Sequence, residues 1–137
     1  MKNSPWRSEN WWVASFNYSE EVRNALSLPK KVLLHDATLR DGEQTPGVVF
    51  HKHEKVEIAK ALDEVGVDRI EAGMPAVSEE DTQAIREISK LGLKAKVFSF
   101  CRATASDIDL SMDCGVQGVI IEIPVITSGK AGGLVKP

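Results

Sequence analysis

From Lys31 onward the apolar positions alternate between two spacings along the chain. Val32-Leu33-Leu34-His35-Asp36-Ala37-Thr38 reads as a buried strand. Over Glu54 to Val65 the apolar residues return at helical spacing, with Val56, Ala59, Leu62 and Val65 on one face and Gly66 placed to end the helix. Val67 to Ala72 predicts a second short strand. Ser78-x-x-Asp81 has the form of a helix-start box ahead of Ala84, Ile85, Ile88 and Leu91, with Gly92 after them. Lys94 to Phe100 predicts a third strand. Thr104-x-x-Asp107 opens a third helix that stops near Gly115, and Val116 to Val125 predicts a fourth strand. The order is β-α-β-α-β-α-β, with short, nearly all-apolar strands and a helix in every connection. That pattern predicts an α/β fold in which helices cover a parallel sheet.

Two architectures carry such a pattern, an open doubly wound sheet and a (β/α)8 barrel, and periodicity alone does not separate them. A sheet that binds a dinucleotide places a glycine-rich turn after its first strand. Here that turn is Arg40-Asp41-Gly42-Glu43-Gln44-Thr45-Pro46-Gly47, which puts two carboxylates where a phosphate would lie. Residues 1–30 stand apart, because they hold Trp6, Trp11, Trp12 and Tyr18 and show no clear period. Ser19-Glu20-Glu21 predicts a short helix ending before Pro29. The segment is expected to be an aromatic-rich arm packed on the main domain. A stacking platform for nucleic acid would interleave basic residues with the rings, and only Lys2 and Arg7 lie close.

Composition narrows the classes. A chain of 137 residues with 42% apolar and 27% charged residues fits one globular domain. Seventeen basic against twenty acidic residues, a net charge of −3, argue against a nucleic-acid partner. The longest apolar stretch, Val116 to Val125, is broken by Gln117 and Glu122 and is too short to span a bilayer. Cys101 and Cys114 make no disulfide framework, and the first residues lack the apolar core of a signal peptide. The expectation is a reduced, cytoplasmic protein without a membrane or nucleic-acid partner.

If the sheet is a barrel, its chemistry lies at the C-terminal ends of the strands. Those ends carry Arg40 and Asp41, then Glu71, then Cys101 and Arg102, then Glu122. A carboxylate beside a guanidinium suits a hard divalent cation together with an anionic oxygen. His51 and His53 have a chelating spacing but fall at a helix start. Cys101 has no histidine near it in sequence and is expected to be a small buried thiol.

Asp36-Ala-Thr-Leu-Arg-Asp-Gly-Glu-Gln-Thr-Pro-Gly47 closely resembles the signature of the pyruvate-carboxyltransferase, or HMG-CoA-lyase-like, domain, the metal-dependent TIM-barrel superfamily named for an Asp-Arg-Glu constellation. Ile70 to Pro75 resembles its second block and Ser99 to Ala103 its third, so the resemblance covers about residues 31–125. The Glu-Gln-Thr-Pro-Gly form is similar to the Claisen-condensing isopropylmalate, homocitrate and citramalate synthases. The lyase branch carries a different residue where Glu43 stands and is the alternative. The resemblance implies that Asp41 ligates the metal and that Arg40 stabilises an enolate-like transition state. It implies that Glu71 completes the constellation by orienting Arg40, and that Gln44 and Arg102 serve the substrate. It also implies a divalent cation (Mg²⁺, Mn²⁺ or Zn²⁺) that polarises a carbonyl, with acetyl-CoA and a 2-oxo acid as small-molecule substrates.

A complete barrel of this superfamily has eight strands in about 250 residues and draws two more metal ligands from a late-strand His-x-His. Four strands are legible here, so residues 31–125 read as the N-terminal half of a (β/α)8 barrel. Residues 126–137 depart from the family pattern and read as a coil tail. Such a chain is expected to be inactive alone, and to self-associate or require a missing C-terminal half. The contrasting reading is a non-catalytic remnant or assembly partner.

Overall fold

The structure, a computed structural model, describes residues 4–123. The expected coil tail at 126–137, and the end of the expected fourth strand at 124 and 125, lie outside the described residues. The chain divides into two compact units, Met1–Val32 and Leu33–Pro137.

Within the first unit the Ser8 hydroxyl accepts from the amides of Asn10 at 3.1 Å and Trp11 at 3.3 Å. The resulting turn brings Arg7 and Trp12 into an antiparallel bridge. The rings of Trp6 and Tyr18 meet at 6.2 Å. Helix α1 (Glu20–Ala25) follows, and the Ser19 hydroxyl caps it by accepting from the Val22 amide. Glu20 and Glu21 occupy the first turn, where the helix dipole favours negative charge.

The second unit runs β1 (His35–Asp36), α2 (Lys52–Val65), β2 (Arg69–Glu71), α3 (Glu79–Lys90), β3 (Lys96–Arg102), α4 (Ala105–Asp113) and β4 (Gly118–Glu122). The strands form one parallel sheet in the order β1-β2-β3-β4. Among the described residues the strand order does not reverse, so no switch point of the kind at which doubly wound folds bind their ligands occurs there. Side chains alternate between the two faces. Ile70 and Val97 face the helices and pack in one core with Val56 and Ala59 of α2 and Ile85 and Ile88 of α3. Cys101, four residues beyond Val97, is buried on that same face. The register of the ladders puts His35, Arg69, Glu71, Phe98, Phe100 and Arg102 on the opposite face. Helices on one side and a polar-aromatic face on the other, in sequential strand order, are the arrangement of four neighbouring units of a (β/α)8 barrel wall.

The helices start where their local chemistry says they should. The Ser78 hydroxyl accepts from the Asp81 amide at 3.0 Å, and the Thr104 hydroxyl accepts from the Asp107 amide at 3.4 Å. At α2 the Glu54 carboxylate reaches back to the His51 amide at 2.7 Å, so this helix begins two residues before the apolar pattern does. Gly66 ends α2 at φ 93°, a backbone angle that side chains resist, and its amide donates to the Leu62 and Asp63 carbonyls.

The first strand is far shorter than the apolar run Val32–Thr38. Val32, Leu33 and Leu34 are exposed, and only His35 and Asp36 enter the ladder. The cause is local. The Leu34 amide donates to the Asp68 side chain at 2.9 Å, not to a strand neighbour. At the other end the Asp36 carboxylate accepts from the Thr38 amide at 2.9 Å and folds the chain out of the sheet.

Candidate active site at the C-terminal ends of the strands

After the Asp36–Thr38 contact, one carbonyl gathers the rest of the turn that follows β1. The Ala37 carbonyl receives the amides of Arg40, Asp41 and Gly42 at 3.1, 2.8 and 3.3 Å. This tight turn directs Arg40 back over the sheet, where its Nε donates to Oε1 of Glu71 at 2.5 Å. Glu71 ends β2 and its side chain is 3% exposed. The same guanidinium lies 4.5 Å over the Phe100 ring, and its Nη1 donates to Asp41 Oδ1 at 3.2 Å. Arg40, Asp41 and Glu71 therefore meet at one end of the sheet, as the barrel reading requires.

Gln44 follows in a 3-10 turn at Gly42–Gln44. With Arg40 it lines a cleft of about 310 Å³ whose other walls include Leu39, Val49, Gly73, Met74 and Val77. Arg102 does not join this group: it lies four positions past Phe98, the ladder partner of Glu71, which puts it about 13 Å further along β3. It is held by Asp107 in the first turn of α4, Nε to Oδ2 at 2.7 Å and Nη2 to Oδ1 at 2.9 Å. This hydrogen-bonded guanidinium, more than desolvation can offset, holds the Asp107 carboxyl at about 2. Glu122 pairs with Arg102 across the β3–β4 ladder.

Cys101 is buried, and burial together with the negative charge of Asp107 pushes its thiol up, away from thiolate character. The rings of His51, the residue before α2, and His53, in its first turn, stack at 6.1 Å, with His51 Nδ1 3.5 Å from Glu80.

Three features carry no clear sequence signal. His35 places Nε2 3.3 Å from Glu71 Oε2, on the oxygen Arg40 leaves free. Phe100 supplies the stacking surface for Arg40. Lys55, 2% exposed, donates to Glu43 Oε2 at 2.7 Å and to Asp81 Oδ1. Glu43 turns its other oxygen to the Phe50 amide at 3.1 Å, so this buried lysine ties the turn that bears the site to α2 and α3. An apolar helix face does not announce a buried cation; its partners lie 12 and 26 residues away.

The HMGL-like family matches residues 31–129. The chain is 44% identical over 110 residues to homocitrate synthase AksA of Methanothermobacter thermautotrophicus, covering 80% of this chain and 27% of the relative. It is 56% identical over 95 residues to homocitrate synthase 1 of Nostoc, covering 69% and 25%. It is 46% identical over 99 residues to 2-isopropylmalate synthase 2 of Caldanaerobacter subterraneus, covering 72% and 26%. The parallel sheet with its helices on one side is the architecture of the N-terminal half of a TIM barrel. The chain is a member of the HMGL-like family. It spans about a quarter of the length of these relatives.

The residues present do not by themselves make a metal centre. Asp41 is one carboxylate, 69% exposed, and already bonded to Arg40. Among the described residues no three His, Cys, Asp or Glu side chains gather as a ligand set. No helix among them is long and apolar enough to cross a membrane.

Proposed function

We propose that this chain carries the Arg40–Glu71–Asp41 portion of the active site of an acyltransferase that condenses acetyl-CoA with a 2-oxo acid. A base takes a proton from the acetyl methyl, the resulting enolate carbon attacks the 2-oxo carbonyl carbon, whose oxygen takes up a proton to become a hydroxyl, and water then cleaves the thioester to a carboxylate and free CoA. The observation that carries this reading is the Arg40–Glu71 hydrogen bond at 2.5 Å onto a buried carboxylate. It fixes a guanidinium at the strand ends, where a preorganised cation can stabilise the oxygen on which negative charge develops. Gln44, beside Arg40 in the cleft, is proposed to orient the substrate. Arg102 is proposed to meet a more distant part of the substrate, with Asp107 holding its fork in place.

Asp41 supplies one oxygen toward a divalent cation, and the other protein ligands must come from outside these residues. His35, His51 and His53 are the only histidines in the sequence; one faces Glu71 and two stack at the start of α2. The 137-residue polypeptide is therefore proposed to be inactive on its own. The reading includes a reducing, cytoplasmic setting, in keeping with two free, buried cysteines.

A thiol-release assay tests both parts. The polypeptide alone, with acetyl-CoA, Mn²⁺ and a panel of 2-oxo acids, is expected to release no CoA. Coexpressed with the part of a synthase relative that follows the matched segment, it is expected to release CoA only with metal and one 2-oxo acid. Arg40→Ala or Asp41→Ala should remove that release. Metal-dependent release by the polypeptide alone, lost in Asp41→Ala, would overturn the claim that further ligands are needed.

A further inference from the structure

We infer that His35 is a positioning residue of this site: it holds the Glu71 carboxylate in the orientation that fixes Arg40. The inference rests on the reading of Arg40 as the group that meets developing negative charge.

Glu71 is buried, and its two oxygens face two different partners. Oε1 accepts from Arg40 Nε at 2.5 Å and Oε2 faces His35 Nε2 at 3.3 Å. The terminal torsion of a glutamate is soft, so a carboxylate anchored through one oxygen can rotate and carry its partner with it. A second anchor on the other oxygen removes that freedom. His35 fills this place as a donor from Nε2, the tautomer that a carboxylate partner selects.

The imidazole is itself fixed. Its ring stands edge-on to Phe98, with centroids 5.8 Å apart and planes at 72°. Phe98 lies over Gly118 of β4, where an added Cβ would come 2.4 Å from the ring, and under the Arg69 guanidinium at 5.4 Å. Two residues further along β3, on the same face, Phe100 supports Arg40. The two aromatic rings thus hold the two partners of Glu71 from one strand. The His35 side chain is 30% exposed, so its effect falls on the carboxylate it faces more than on the core.

The test reads Arg40 directly. In the ¹⁵N-labelled chain at a single pH, the Arg40 Nε proton should exchange slowly with water. His35→Ala should raise that rate about tenfold, the scale of losing one hydrogen bond to a charged group. The Arg102 Nε proton, held by Asp107, and the backbone amides of Ile88 and Val97 should keep their rates. His35→Gln, whose carboxamide can donate from a similar position, should restore slow exchange. An unchanged Arg40 rate in His35→Ala overturns the proposal. So does a parallel rise at Arg102 and the core amides, which marks a purely structural role. The measurement needs no metal, substrate or turnover, so failure to release CoA in every preparation bears on the proposed function and not on His35.

Discussion

At the residue scale the site depends on a few side chains that each satisfy two neighbours. Arg102 and Asp107 form a paired fork, and the pairing sets a pH dependence with a definite sign. Asp107 is held at about 2, below its ordinary value of 3.8, so the folded state favours the ionised carboxylate. Its contribution to stability is fully present above about pH 4 and is lost as pH falls toward 2. Asp107→Asn should flatten that part of the acid-unfolding curve and leave the neutral-pH curve less affected in slope; a carboxyl-carbon NMR titration of Asp107 with an ordinary midpoint would contradict this. Gly118 makes the opposite kind of demand, for empty space. Gly118→Ala pushes a methyl into the Phe98 ring and should cost about 1–3 kcal/mol by overpacking, read by denaturant unfolding. That Arg40, Asp41 and Glu71 would come together was legible because unlike charges recur at strand ends. His35 was not, since a histidine at the head of a strand acquires meaning only when β2 brings Glu71 beside it.

At the scale of elements, the helices were the legible part. Their faces repeat every three to four residues and their caps are written locally, so α2, α3 and α4 fall within a few residues of where spacing and start boxes put them. The strands were legible as a series, but not in extent, because two aspartates rewrite the first. Asp68 captures the Leu34 amide and Asp36 turns the chain after two ladder residues. Lys55 is the tie among these elements that periodicity hides. Burial pushes its ammonium down, but hydrogen bonds to Asp81 and Glu43 outweigh that and raise it above the ordinary lysine value. The stabilisation is therefore present below about pH 10.5 and lost as pH climbs through the raised value. Lys55→Met leaves two carboxylates without their cation. The cost should be about 3 kcal/mol, the low end for a broken buried pair, because Glu43 and Asp81 retain 25% and 14% exposure and can be rehydrated. Amide exchange should then rise first at Phe50, whose amide depends on Glu43, before it rises in α3. Uniform loss of protection would show that the lysine holds the fold as a whole and not this turn.

At the scale of the molecule, the core is one-sided. Leu39, Ile70, Val97, Ile85 and Ile88 are buried between sheet and helices, so the second unit has a real interior. Its margins are less protected. No strand among the described residues pairs with the outer edge of β1 or β4. Cys101 and its ladder partner Ile121 face the same side, yet Cys101 is 1% exposed under α4 and Ile121 is 45% exposed. Leu33, Leu34 and Ile123 add apolar surface near the two edges. An open strand edge beside exposed aliphatic residues is a template for pairing with another chain. The polypeptide is therefore expected to associate as its concentration rises into the range of about 10–100 µM, where such surfaces begin to meet. Sedimentation velocity across that range should show growing species. Ile121→Lys should reduce them, because a charge on the uncovered side of the edge strand opposes stacking without touching the core. A compact monomer that stays monomeric at the highest concentration and unfolds cooperatively would mean that these margins are already satisfied within the chain.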